Sequence, residues 1–317
     1  MRTAYAAGCQ GNRVAHDHHH HHGVSADADS RKLALALALI AGFMCVEVVV
    51  GIAADSLALL SDAAHMLTDA GALALSLVAI RLARRPAAGA MTFGLKRTEI
   101  LAAAINGSTL LVLGLLIVYE GIRRLLDPPE VEGLPVLIVA LVGVVVNLVA
   151  TAILARANRQ SLNIEGAFQH ILTDLAAFVA TAVAGAVILL TGFREADGIA
   201  ALLVAALMLR AAYGLLRDSG RVFLEAAPRG LDPQAIGMRM AGERGVKEVH
   251  DLHIWEVTSG FPALSAHVLV GRDTDCHGAR RAIEAMLNDE FHIEHTTLQV
   301  DHDDGSHLLE IEVSPRG

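Results

Sequence analysis

The chain has 317 residues, 54% of them apolar, a single tryptophan and a mean hydropathy of +0.48. This is the balance of a protein that spends much of its length in a bilayer, not of a large water-soluble core. A formal charge of −9 without a basic cluster speaks against a nucleic-acid partner. Cys9, Cys45 and Cys276 lie far apart and form no CxxC pair, which speaks against a disulfide framework and a thiolate zinc site.

Residues 1–30 are polar, rich in Ala and Asp, and lack the short apolar core of a cleaved signal peptide, so a disordered cytoplasmic tail is expected. Within it, His16-Asp-His-His-His-His-His22 reads either as a native metal-gathering run or as a purification tag, and the interrupting Asp17 favours the native reading. A transport domain is expected over 31–216, with six apolar stretches long enough to span: 33–54, 57–82, 100–125, 134–154, 164–190 and 198–216. Glu47 and Asp62, inside the first two, are read as solvated at a helix end or in a cavity, in preference to a role for Asp62 as an entry-side carboxylate. The prolines of Asp127-Pro-Pro-Glu130 stop the third stretch. Loops after the second, fourth and sixth stretches carry Arg81, Arg84, Arg85, Lys96, Arg97, Arg156, Arg159, Arg217 and Arg221, against Arg123, Arg124 and Arg194 on the other side. Basic loops stay inside, so both termini are expected in the cytoplasm.

From 217 to 317 the composition is that of a soluble domain. A helix is predicted over 233–243, strands over 246–257 and 263–270 flanking the turn Ser259-Gly-Phe-Pro262, an amphipathic helix over 276–290 and a third strand over 296–301. The fold class expected is therefore an all-α six-helix transmembrane domain followed by a small α+β ferredoxin-like layer.

One pattern occurs twice: His65-Met-Leu-Thr-Asp69 in the second stretch and His170-Ile-Leu-Thr-Asp174 in the fifth. Four-residue spacing stacks imidazole and carboxylate on one face of a helix, one turn apart. A lone histidine in a spanning helix is commonly a packing hydrogen bonder and a lone aspartate can relay protons. The repeated pair changes that balance, because two helices then supply two imidazoles and two carboxylates, a tetrahedral shell suited to zinc and related divalent ions.

With these residues in hand, the chain resembles the cation diffusion facilitator family, of the type that exports zinc, cobalt and cadmium. The resemblance covers nearly all of 33–301. It rests on Ser56-Leu-Ala-Leu-Leu-Ser-Asp-Ala-Ala-His-Met-Leu-Thr-Asp69, on Thr92-Phe-Gly94 with Arg97, Glu99 and Ile100, on Gly166-Ala-Phe-Gln-His-Ile-Leu-Thr-Asp174, and on Val249-His-Asp-Leu-His-Ile-Trp255. It implies a homodimer with a cytoplasmic domain, proton-driven metal efflux, and a transport site at His65, Asp69, His170 and Asp174, where histidines favour Zn2+ over other metals. It also implies a cytoplasmic metal site at His250, His267, His277 and Asp301, and an ion pair between Arg97 and Asp218 that fixes the joint between membrane and domain. Where some members have a histidine two positions before the aspartate, this chain has Gln299, a poorer zinc ligand. The alternative for these cytoplasmic groups is ordinary surface histidines. His253, three residues from His250, is expected on the opposite face of a regular strand.

The mechanism expected is metal/proton antiport by alternating access in a bacterial inner membrane. Zinc needs neutral imidazole and ionised carboxylate, so metal and protons compete for the same side chains. Two carboxylates cancel the ion; empty and unprotonated, they would leave two negative charges within the bilayer. If the histidines take up the protons, transport weakens as cytosolic pH falls below about 6.5. No nucleophile, base or phosphate loop lies beside the pairs, so no enzyme is expected. The competing class is a membrane-anchored metal sensor or storage protein, and a third is a proton channel; Cd2+ and Co2+ fit the same ligands as Zn2+.

Overall fold

The computed structural model describes residues 23–53, 57–127 and 133–303. They form two compact units, one up to Gly220 and one from Arg221. The first is built from six helices: α1 (Gly23–Ala53), α2 (Leu57–Ala83), α3 (Thr98–Leu126), α4 (Gly133–Leu154), α5 (Leu162–Thr191) and α6 (Glu195–Phe223). Within the described residues, each of the six expected apolar stretches is therefore helical. Among the described residues, α3, α5 and α6 are long and apolar enough to cross a membrane, and Ala140–Leu154 is a shorter apolar segment.

α1 starts at Gly23, so the last turns of the expected tail are helix; the run from His16 to His22 lies outside the described residues. Asp29 is the reason those turns hold. It is buried, accepts from Lys32 Nζ at 3.3 Å and from the Asn158 backbone N–H at 3.1 Å, while Lys32 also donates to the Arg156 carbonyl. The first helix is thereby pinned to the loop between α4 and α5.

Two apolar clusters organise the bundle. One joins α1, α2, α4 and α5 through Leu33, Ile40, Leu73, Leu77, Leu154, Ile164 and Ile171. The other joins α3 to α6 through Leu110, Val204, Met208 and Leu215. α3 and α6 run antiparallel and very close. A Cβ built on Gly107, Gly114 or Gly121, seven residues apart, would lie 3.1, 3.0 or 3.0 Å from Leu215, Leu209 or Leu202. Small residues at that spacing let two backbones approach where a bilayer offers no hydrophobic drive between helices. Before α3, the Thr92-Phe-Gly94 turn needs its glycine: φ is +72° and a Cβ would fall 2.8 Å from the Arg85 carbonyl.

The second unit has α7 (Pro233–Ala241), β1 (Val246–Glu256), β2 (Pro262–Val270), α8 (Cys276–Phe291) and β3 (His295–His302). Asp232 and Asp275 cap the two helices by accepting the N–H of Gln234 and His277. β2 is central, antiparallel to β1 and parallel to β3. Ile236, Met240, Ile254, Leu264, Val268, Ile283 and Leu287 pack between one sheet face and the helices.

The other face contradicts one expectation. β1 carries an extra residue between His250, which pairs with His267, and His253, which pairs with Ser265. Asp251 takes up the irregularity with φ of +53°, and its carboxylate meets His253 Nε2 at 2.9 Å. Three residues on β1 thus match two on β2, so His253 shares the face of His250 instead of opposing it.

Candidate metal centre

α2 and α5 bring Asp69, His170 and Asp174 together. One ligand atom from each lies within 4.8 Å of the others, and all three residues are at most 5% exposed. Helical spacing explains the pair on α5, and packing of Met66, Leu73, Ala167 and Ile171 in one cluster brings α2 against it. His65 lies on α2 one turn before Asp69; its side chain is outside the described residues.

The hydrogen bonding is incomplete in a telling way. His170 Nε2 sits 2.9 Å from Asp69 Oδ1, whereas His170 Nδ1 and Asp174 Oδ2 are buried without a hydrogen-bond partner among the described residues. A bare imidazole nitrogen and a carboxylate oxygen would repel at that distance, so one proton lies between them. An imidazole and two carboxylates gathered in a buried pocket are donors that a divalent cation can engage in place of protons. Unpartnered polar atoms at this depth are otherwise costly.

The cytoplasmic candidates are arranged differently. His250 and His267 face each other across β1 and β2, rings 5.4 Å apart and nearly perpendicular. His250 Nδ1 is 3.4 Å from Glu248 Oε1, a contact too poorly aligned for a hydrogen bond. Asp301 is opposite Leu269 and accepts from Gln299 Nε2 at 2.8 Å, while Gln299 is opposite His267. His277 is the second residue of α8, and its N–H goes to the Asp275 cap. Among the described residues only the trio in the helices gathers its ligand atoms; within one chain, His250, His267, His277 and Asp301 do not. Arg97 precedes α3 and Asp218 lies near the end of α6.

The sequence reading passed over one further group. Ser76, Asn106 and Asn163 are buried, and the amides of Asn106 on α3 and Asn163 on α5 each donate to Ser76 on α2.

The profile of the cation efflux transmembrane domain matches residues 33–224, and that of the cation efflux protein cytoplasmic domain matches 228–303. The chain belongs to the cation efflux, or cation diffusion facilitator, family. Members of this family are transporters, not enzymes. Among its relatives, a cadmium, cobalt and zinc/H(+)-K(+) antiporter of Bacillus subtilis is 36% identical over 282 residues, covering 88% of this chain and 91% of its own. The metal cation efflux system protein CzcD of Cupriavidus metallidurans is 40% identical over 261 residues, 81% of this chain and 82% of its own. The zinc transporter ZitB of Escherichia coli is 40% identical over 264 residues, 83% and 84%. A solved structure, the metal-bound C-terminal domain of the CzcD transporter from Cupriavidus metallidurans, is 33% identical over 22% of this chain and 99% of its own, with a TM-score of 0.22.

Proposed function

We propose that this cation efflux protein exports zinc, and with it cadmium and cobalt, in exchange for protons by alternating access. His65, Asp69, His170 and Asp174 hold the ion. The observation that carries the reading is the buried trio, in which His170 Nε2 lies 2.9 Å from Asp69 Oδ1. A bound cation needs His170 neutral and both aspartates ionised, so any proton these groups hold beyond the single imidazole N–H leaves as the cation enters, and its return releases the cation. Antiport of cadmium, cobalt and zinc, which the name of the Bacillus relative states, supports the same exchange. So does ZitB's name for zinc as the main substrate.

In this reading α1 to α6 all span a bacterial inner membrane, with both termini in the cytoplasm and lipid around the bundle. The second unit, whose α-β-β-α-β order fits a ferredoxin-like layer, pairs two copies into a homodimer. His250, His267, His277 and Asp301 become a regulatory metal site only there, and Arg97 with Asp218 holds the joint above it. A sensor or storage role is disfavoured by placing dry ligands on two helices of a six-helix bundle.

The test is zinc flux into proteoliposomes under an imposed pH gradient. Gradient-dependent flux that Asp174→Ala abolishes is the expected result. Flux indifferent to the gradient, or surviving the substitution, overturns the antiport reading.

A further inference from the structure

Seven residues before His170 on α5 lies Asn163, and seven after Asp69 on α2 lies Ser76. Seven residues make about two helical turns, roughly 10 Å, so both sit on the same faces as the trio. They point toward the end of the bundle where α2 passes into α3 and α4 into α5, which the orientation proposed above places at the cytoplasm. Asn163 Nδ2 donates to the Ser76 carbonyl at 2.8 Å, and Asn106 Nδ2 donates to Ser76 Oγ at 3.0 Å. All three residues are at most 1% exposed. Between this layer and the trio, Leu73 and Ala167 fill the intervening turn, both fully buried.

Polar residues between membrane helices commonly serve as glue. A layer that served as glue alone would be expected to pair its acceptors, whereas Asn163 Oδ1 is buried with no hydrogen-bond partner among the described residues. Its orientation is fixed, because a backbone carbonyl only accepts, so the amide nitrogen must face Ser76 and the oxygen must be the orphan. The orphan lies on the stripe that leads to His170. Moreover, the Asn106 bond joins α3, which belongs to the α3–α6 cluster, to α2 of the four-helix cluster.

We infer that Ser76, Asn106 and Asn163 form the inner relay of the transport path, a layer of neutral oxygens that replaces part of a divalent cation's water shell between the cytoplasm and the trio. Neutral amide and hydroxyl oxygens are weak ligands for zinc compared with imidazole and carboxylate. Weak binding is what a waypoint requires, since the ion must enter and also leave. With no ion passing, the amides close on Ser76 and seal the route; during passage Asn163 Oδ1 and Ser76 Oγ turn to the ion. This rests on the antiport reading above.

The experiment compares zinc flux in proteoliposomes for the full chain, Asp174→Ala, Asn163→Ala and Asn163→Ser, with equilibrium zinc binding and thermal unfolding of each in detergent. The alanine and serine variants differ by one oxygen. The expected result is that Asn163→Ala binds zinc as the parent does, keeps its half-saturating zinc within about threefold, and loses about tenfold in maximal rate. Asn163→Ser, with an oxygen restored, stays within about threefold of the parent rate. The inference is overturned if Asn163→Ala transports within about twofold of the parent, if the two variants fall equally, or if flux falls in step with zinc binding. Should Asn163→Ala fail to fold, Ser76→Ala is judged by the same measures. Flux that survives Asp174→Ala marks a failure of the reading of the trio, a result separate from anything seen at Asn163.

Discussion

Among the described residues, imidazole and carboxylate meet between two helices and again on the sheet, and their surroundings differ. Between α2 and α5 they are dry, within 4.8 Å of one another, and short of partners. On the open face of the sheet they are wet or half-buried, spread over three strands, and bonded to local groups such as Gln299 and Asp251. The first set is organised before an ion arrives, whereas the second needs a rearrangement or a second copy of the chain to become a site. Preorganised ligands in a medium without water bind by exchanging a proton for a cation; wet ligands compete with water and are suited to sensing.

The largest effect expected from testing this contrast is at Asp69. Asp69→Asn keeps the shape but removes the charge. Because outer-sphere partners alone cost about 10–100-fold in metal affinity, loss of a ligand lowers zinc binding at least about a hundredfold, read by calorimetry on the detergent-solubilised chain. Next, the buried set depends on a tightly closed bundle. Gly114→Leu forces a side chain into the α3–α6 seam and costs about 1–3 kcal/mol, visible as a lower unfolding midpoint. Zinc taken up by the second unit stays the same. His267→Ala should then remove zinc bound per chain while shifting half-saturation of flux by no more than about threefold. A complete loss of flux would erase the distinction between the two sets.

The smallest effect is a pH dependence. The N–H groups of Gly278 and His277 hold the Asp275 carboxyl below the usual carboxylate range. A lowered value in the folded state means the cap contributes fully above the unfolded value, near 3.9, and is lost as pH falls through the folded value. Asp275→Ala therefore lowers the unfolding midpoint slightly at pH 7, and the gap from the parent closes in strong acid.

Much of the trio was legible because helical periodicity is strict: a spacing of four between His170 and Asp174 permits one geometry on a helix, and the repeat at 65–69 doubled the signal. The helices themselves were legible from long apolar runs. Two features were not. The face of His253 depends on an extra residue at Asp251, and a bulge leaves no mark in an alternating pattern until the pairing partner is known. Ser76 and Asn106 stand within apolar runs and Asn163 at the edge of one, without a repeated spacing, so their convergence follows only from the packing of α2, α3 and α5. The start of α1 was misjudged for a related reason: Ser25-Ala-Asp-Ala-Asp29 reads as a polar tail until Asp29 finds Asn158, 129 residues away.

That distant attachment has a practical consequence. With Asp29 fastened to the loop after α4, the first helix has a footing within the described residues. A fluorescent protein or an immobilisation handle joined upstream would be tethered next to a helix that is held to the α4–α5 loop from Asp29 onward. That end of the chain is accordingly the place to attach a reporter for single-molecule measurements of the transport cycle.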